Sequence, residues 1–276
     1  MNTQSFVDAG LHYTPHSFTV PLDYQDHSKG TINIFARSIC LVGDEDSHKP
    51  WLVYFQGGPG FPSPRPNGNG GWIKRALTEY HVLLLDQRGT GNSCVINHQT
   101  LAHLTPEKQA DYLSHFRADN IVRDAELIRE QFGVKKWAIL GQSFGGFCCL
   151  TYLSLFPSSL LQSYITGGVP SISRHADDVY QATFKRTMEK NQAFFLQFPQ
   201  AQQLCQNIAS HLLKNEEFLP NGQRFTVEQF QQIGINFGVS DTFLPTYYWL
   251  ESALIEVNGK PRLRYESVSY THIKLP

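Results

Sequence analysis

No run of like charge, no apolar stretch long enough to cross a bilayer and no cysteine pair at metal-ligand spacing occurs in these 276 residues. Each absence excludes something. With 23 basic and 24 acidic residues the formal net charge is −1, so the chain has no electrostatic footprint for nucleic acid or for an anionic membrane surface. Without a span of about 20 apolar residues, no transmembrane helix is expected. Met1 to Tyr13 lacks the basic-then-apolar layout of a secretory signal, which points to a cytoplasmic address. The five cysteines, Cys40, Cys94, Cys148, Cys149 and Cys205, are odd in number and show no CxxC spacing. That argues against a disulfide framework and against structural zinc. The 11 histidines are scattered, with no HExxH pair, so no metal or other cofactor is expected. Internal repeats and low-complexity tracts are lacking too.

What is present suffices for a large core, because 41% of the residues are hydrophobic and 13% aromatic. The first half alternates strand and helix signals. Ser17 to Val20 and Thr31 to Cys40 read as early strands. Trp51 to Gln56 is a short apolar run stopped by Gly57-Gly58-Pro59-Gly60, and His81 to Asp86 is stopped by the loop Gln87 to Asn92. Asn120 to Phe132 carries the period of an amphipathic helix. Trp137 to Gly141 reads as a strand, Phe144 to Leu155 as a helix ending before Pro157, and Leu161 to Gly167 as a further strand. This alternation predicts an α/β architecture with a mostly parallel sheet flanked by helices. After Pro170 the texture changes. Arg174 to Phe198, Ala201 to Leu213, Thr226 to Phe237 and Asp241 to Val257 read as helical, with no strand before the very end. Three parts are expected: a core over 1–170, a helical insertion over 171–262 and a tail over 263–276.

The most informative local signal is Gly141-Gln142-Ser143-Phe144-Gly145-Gly146. A glycine–serine turn arises easily by chance, but here an apolar strand precedes it and a helix follows. In that context the serine occupies a sharp strand-to-helix turn with its hydroxyl exposed, a nucleophile elbow. Glycines flank it because a Cβ would clash with the neighbouring strand and helix. Acyl transfer then needs two donors aimed at the developing oxyanion. One is the backbone N–H of Phe144. The other must come from a loop that approaches the substrate closely, and Gly57 and Gly58 fit, with Gly58 preferred. A third segment, Asp86-Gln87-Arg88-Gly89-Thr90-Gly91-Asn92-Ser93, places a carboxylate and a guanidinium two apart at a strand end. It reads as scaffold, an ion pair in which Arg88 braces the glycine loop.

In order and spacing these segments resemble the proline iminopeptidase (prolyl aminopeptidase) family of α/β-hydrolase serine peptidases, whose pattern runs HGGPG, DQRGxGxS, GxSxGG. The likeness extends to His16 through Tyr24 and into the insertion at Tyr180 through Arg186 and Lys190 through Phe194. Gln56 departs from it, standing where the family has histidine. The resemblance implies an α/β-hydrolase fold with a helical cap. It implies release of N-terminal proline from peptides through an acyl-enzyme on Ser143, without a metal. It also implies acidic cap residues that hold the substrate's free amino terminus, for which Glu251 is the candidate beside its plainer reading as a solvated helix residue.

A serine nucleophile needs a base and an orienting acid, which in this fold follow in the chain order Ser, Asp or Glu, His. The histidines after Ser143 are His175, His211 and His272. The first two read as surface residues of the cap. His272 falls in Glu266 to Pro276, a stretch unlike the family that reads as non-native. No base is assigned, and the chain is expected to be an N-terminal fragment lacking the catalytic Asp, the catalytic His and the C-terminal part of the sheet, with little turnover. Two rivals stand beside the peptidase: another α/β-hydrolase acting as an esterase or amidase, and a binding module that has lost its base. The partner expected is a peptide with N-terminal proline, and composition sets no oligomeric state.

Overall fold

A computed structural model describes residues 4–268; His272 and the tail from 269 lie outside them. The chain divides after Ser171 into two compact units.

The first unit is built on a mixed sheet of seven strands: β1 (Phe6–Asp8), β2 (Leu11–Pro21), β3 (Thr31–Leu41), β4 (Trp51–Phe55), β5 (His81–Leu85), β6 (Trp137–Gln142) and β7 (Leu160–Thr166), in the order β1-β2-β3-β5-β4-β6-β7. From β4 to β7 the strands run parallel, as the alternation predicts. The N-terminal arm is antiparallel. Its chain folds straight back between β2 and β3, in a register from Leu11↔Leu41 to Pro21↔Thr31, and the connection is too short for a parallel crossover.

Helices cover both faces: α1 (Gly71–Ala76), α2 (His98–Leu101), α3 (Pro106–Ser114), α4 (Ala118–Gln131) and α5 (Phe144–Leu155). The strand period sends alternate residues of β5 to opposite cores. Leu83 and Leu85 pack with Ile121, Val122, Ala125 and Ile128 of α4 and with Cys148, Cys149 and Tyr152 of α5, while Val82 and Leu84 pack with Ile73 of α1. Each such aliphatic side chain contributes about 1.5–3 kcal/mol on burial. A polar knot ties the layers. Glu126 accepts from Tyr152 Oη at 2.5 Å, Ser159 Oγ at 2.7 Å and Arg129 Nε at 3.0 Å, and Trp137 Nε1 donates to the Tyr152 hydroxyl at 3.1 Å.

The second unit holds α6 (Ala176–Gln197), α7 (Gln200–Lys214), α8 (Val227–Gln231) and α9 (Phe243–Ser252). Its core gathers Phe237, Phe243 and Phe198 around the buried Phe194. The expectation of helix as far as Val257 is corrected. α9 stops at Ser252, and β8 (Leu254–Val257) pairs with β9 (Lys260–Leu263) in a hairpin. Asn258 and Gly259 turn it with φ of 53° and 73°, the positive pair that a two-residue hairpin turn demands and Asn-Gly supplies.

Glu217 joins this hairpin to α7. It is buried, and accepts from His211 Nε2 at 2.7 Å, Arg262 Nε at 3.0 Å and the Leu263 N–H at 3.1 Å. Burial pushes its carboxyl up, but the bonds from Arg262, His211 and Leu263 outweigh that and hold it below the usual glutamate range. A carboxyl depressed in the folded state stabilises above its unfolded value, about 4.3, and that stability is lost as pH falls through the folded value. Glu217→Gln is therefore expected to lower the melting temperature at pH 7 and to differ less from the parent at pH 3, below the unfolded value. An equal offset at both pH values in thermal unfolding would count against the assignment.

Candidate active site

The chain leaves β4 toward β5 and leaves β6 toward β7, on opposite sides of the sheet order. A crevice opens beyond the carboxyl ends of two neighbouring parallel strands wherever their connections diverge in this way. β4 and β6 pair through Phe55↔Gly141, so the loop from Gln56 and the turn at Ser143 lie side by side at that crevice.

Ser143 stands at the start of α5 with φ 54° and ψ −118°, a backbone region that costs a non-glycine residue about 1–3 kcal/mol. Serine at a helix start ordinarily turns its hydroxyl onto the helix's own N–H groups. Here the hydroxyl makes no such cap and the residue is exposed, so the oxygen remains available for chemistry. The strain persists because backbone lies on backbone. A Cβ on Gly141 would run into the Gly145 carbonyl and sit 2.7 Å from Cys149 Sγ, and one on Gly145 would run into the Phe55 carbonyl. Ser143 N–H donates to Thr166 O at 2.9 Å, and its carbonyl accepts from Gly146 N–H at 2.8 Å.

The oxyanion candidates meet at the same turn, in a relation the spacing does not reveal. Phe144 N–H donates to the Gly57 carbonyl at 3.1 Å. Gly57 is buried, and a Cβ there would strike the Gln142 carbonyl. Gln56, the departure from the family pattern, accepts from Tyr54 Oη at 3.2 Å through its side chain and from Gln87 Nε2 at 3.2 Å through its carbonyl. Gln87 was not a candidate residue; its place directly after the strand-end Asp86 was the available signal.

The ion pair expected between Asp86 and Arg88 does not form. The backbone turns at once after β5, with Thr90 N–H on Gln87 O at 3.0 Å, and sends the two side chains apart. Asp86, fully buried, accepts from both terminal nitrogens of Arg65, from Ser63 N–H at 3.0 Å and from Asn92 N–H at 2.9 Å. Asp86 and Gln87, not Arg88, brace the glycine loop. Arg88 instead pairs with Asp124 of α4, Nε to Oδ2 at 2.8 Å, and donates to the carbonyls of Leu22 and His115 at 2.8 Å. Burial pushes the Asp124 carboxyl up, against the opposing pull of Arg88 and of the Tyr24 hydroxyl 2.8 Å away.

Burial also drives the Cys148 and Cys149 thiols up to about 12, so neither offers a thiolate nucleophile at neutral pH. Among the described residues no group of His, Cys, Asp and Glu could hold a metal ion, and no helix is long and apolar enough to cross a membrane. Within the first unit no described histidine hydrogen-bonds Ser143. In the second unit His175 is exposed, its Nδ1 accepting from Asp177 N–H at 3.3 Å. His211 is buried against Glu217, contrary to its reading as a surface residue. Glu251 is exposed in the last turn of α9. The same unit holds an apolar cavity of about 450 Å³ between Phe194, Phe230, Phe237 and Leu250. These four side chains offer nothing to attack or protonate a carbonyl.

Two outcomes test these assignments. Ser143→Gly is expected to be more stable than Ser143→Ala by about 1 kcal/mol in urea unfolding, reversing the usual order because glycine relieves the positive φ. Asp124→Ala, which strands the buried Arg88 charge, is expected to lower the unfolding free energy by about 3–5 kcal/mol, whereas Arg88→Met with Asp124→Leu recovers most of it.

A family model described as the alpha/beta hydrolase fold matches residues 50–250. Among curated relatives, a proline iminopeptidase of Aeromonas sobria is 57% identical over 263 residues, covering 95% of this chain and 62% of that protein. A proline iminopeptidase of Aspergillus aculeatus is 38% identical over 231 residues, covering 80% and 51%. A tripeptidyl aminopeptidase of Streptomyces lividans is 28% identical over 173 residues, covering 50% and 32%. The chain thus spans about three fifths of the Aeromonas relative and about half of the Aspergillus one. With its strand-to-helix serine turn and its sheet order, the chain belongs to the α/β-hydrolase fold family and has proline iminopeptidases among its relatives.

Proposed function

We propose that the protein is a serine aminopeptidase that releases proline from the N-terminus of peptides through an acyl-enzyme on Ser143. The observation that carries this is the exposed Ser143 hydroxyl at a strained strand-to-helix turn, uncommitted to its own helix and flanked by the Gly57–Gly58 loop. The proline iminopeptidase relatives supply the substrate class.

In this reading Ser143 Oγ attacks the carbonyl carbon of the terminal proline and gives up its proton to a base. The tetrahedral oxyanion is held by backbone N–H groups of Phe144 and Gly58, at the positive end of α5. Collapse expels the peptide as its amine, which takes the proton, and water then hydrolyses the prolyl ester. The resemblance to proline iminopeptidases is what makes residues 171–262 the candidate cap and Glu251 the candidate partner of the substrate's ammonium group. A carboxylate in the last turn of a helix opposes the helix dipole, so an arriving cation relieves an unfavourable placement. The five unpaired thiols suit a cytoplasmic address. No base is assigned: His211 is engaged by Glu217 and His175 caps its own helix. The described residues alone are accordingly expected to show little turnover.

The alternative within the fold is an esterase or amidase. Expressed from its complete gene, the protein is expected to hydrolyse a proline arylamide in strong preference to an alanine arylamide or a short ester, and Ser143→Ala to lower kcat by about 10³-fold or more. Equal or better rates on short esters would move the assignment to the esterase. Unchanged turnover in Ser143→Ala would remove the nucleophile.

A further inference from the structure

The donor that should hold the oxyanion is already occupied. Phe144 N–H donates to the Gly57 carbonyl at 3.1 Å, so an incoming substrate carbonyl finds an acceptor in its place. The same peptide unit carries the second donor, because the Gly57 carbonyl and the Gly58 N–H lie on opposite edges of one plane. With the carbonyl turned to Phe144, the Gly58 N–H faces away, and it has no hydrogen-bond partner among the described residues. As it stands the site presents one spent donor and one averted donor.

The peptides on either side have anchors of their own. The Gln56 carbonyl is held by Gln87 Nε2 at 3.2 Å, and the Gly58 carbonyl accepts from Phe61 N–H at 3.1 Å. Between these anchors a single plane is held by a single hydrogen bond, worth about 1 kcal/mol net. Rotating it changes ψ at Gly57 and φ at Gly58 together, leaving both flanking planes in place. Glycine at both positions keeps either orientation open.

We propose that the Gly57–Gly58 peptide is a plug for the oxyanion site, with its carbonyl on Phe144 N–H in the unliganded protein and its plane turned over when an oxyanion forms. One rotation would free the Phe144 donor and swing the Gly58 N–H in beside it. The proposal rests on Ser143 being the nucleophile. Gly58 carries the motion, whereas Gln87 fixes the pivot and acts as a positioning residue.

The test uses isotope-labelled protein from the complete gene, with and without a prolyl boronic acid, which forms a tetrahedral adduct on a serine nucleophile. Without the boronate, a through-hydrogen-bond coupling is expected between Phe144 nitrogen and Gly57 carbonyl carbon, and the Phe144 amide is expected to exchange at least about tenfold more slowly than Gly58. In the adduct, confirmed by mass at Ser143, the coupling disappears and the Gly58 amide becomes protected. Gly58→Ala adds a Cβ 2.6 Å from the ring of the exposed Phe61, which can move aside. It is expected to melt near the parent temperature and bind the boronate at least about tenfold more weakly. The plug is overturned if the coupling is absent in the free protein, or if it persists in a Ser143 adduct. Failure to form any adduct removes the nucleophile, and the proposal falls with it. The free-protein coupling tells the two failures apart.

Discussion

Everything at this site depends on backbone being able to touch backbone where β4, β6 and α5 converge. Side chains at 141 and 145 would hold α5 away from the strands. The chain could then not reverse within one residue, and Ser143 would relax out of φ 54°. The missing Cβ atoms therefore fix the backbone that carries the serine. Glycine is usually read as flexibility; at these two positions it is the condition for close packing.

The residues Asp86, Gln87 and Arg88 show a second layer of control. They are consecutive, nearly solvent-free, and have three destinations: Asp86 to the Ser63–Arg65 arm, Gln87 to the Gln56 carbonyl and Arg88 to α4 and the end of β2. Buried polar groups are tolerated only when satisfied, so each fixes the geometry of its partner. The glycine loop is held by neutral or fully compensated bonds to the end of β5. The heavier charge pair, Arg88 with Asp124, lies on the α4 side, where it locks the scaffold rather than the reacting groups.

Much of the first unit was legible because its signals are local. Strand runs that end on glycine, an amphipathic α4 and the serine turn all lie within short windows, and α5 falls on Phe144–Leu155 as the spacing predicts. What escaped was non-local or out of period. β1 is three exposed residues with nothing to pattern. Arg65 sits 21 positions before its partner Asp86, so spacing suggested Arg88 instead. His211 reads as polar surface because its partner Glu217 gives no helical or strand period. The β8–β9 hairpin did carry a local signal, Asn258-Gly259, overridden by reading α9 onward as one helix. Ser143, Phe144, Gly57 and Gly58 were singled out from sequence and adjoin in space. That Phe144 donates to Gly57 could not be foreseen, since the orientation of a peptide plane leaves no trace in residue identity.

The two kinds of backbone freedom in this crevice oppose each other. At Ser143 a residue that resists positive φ is forced into it by dense surroundings, so the backbone that carries the proposed nucleophile is held in one conformation. At Gly57–Gly58 residues that accept many conformations are pinned on either side and left with one movable plane. An acyl-transfer site needs both. The attacking oxygen must not wander, because orientation is part of the barrier it lowers. The oxyanion donors, by contrast, are needed only when charge develops, and an empty pair of donors in a partly buried turn would stay unsatisfied in the resting protein. A carbonyl from the same loop meets that need for Phe144 at the expense of a single hydrogen bond. Only an acceptor stronger than a neutral carbonyl has reason to displace it, and a developing oxyanion is such an acceptor.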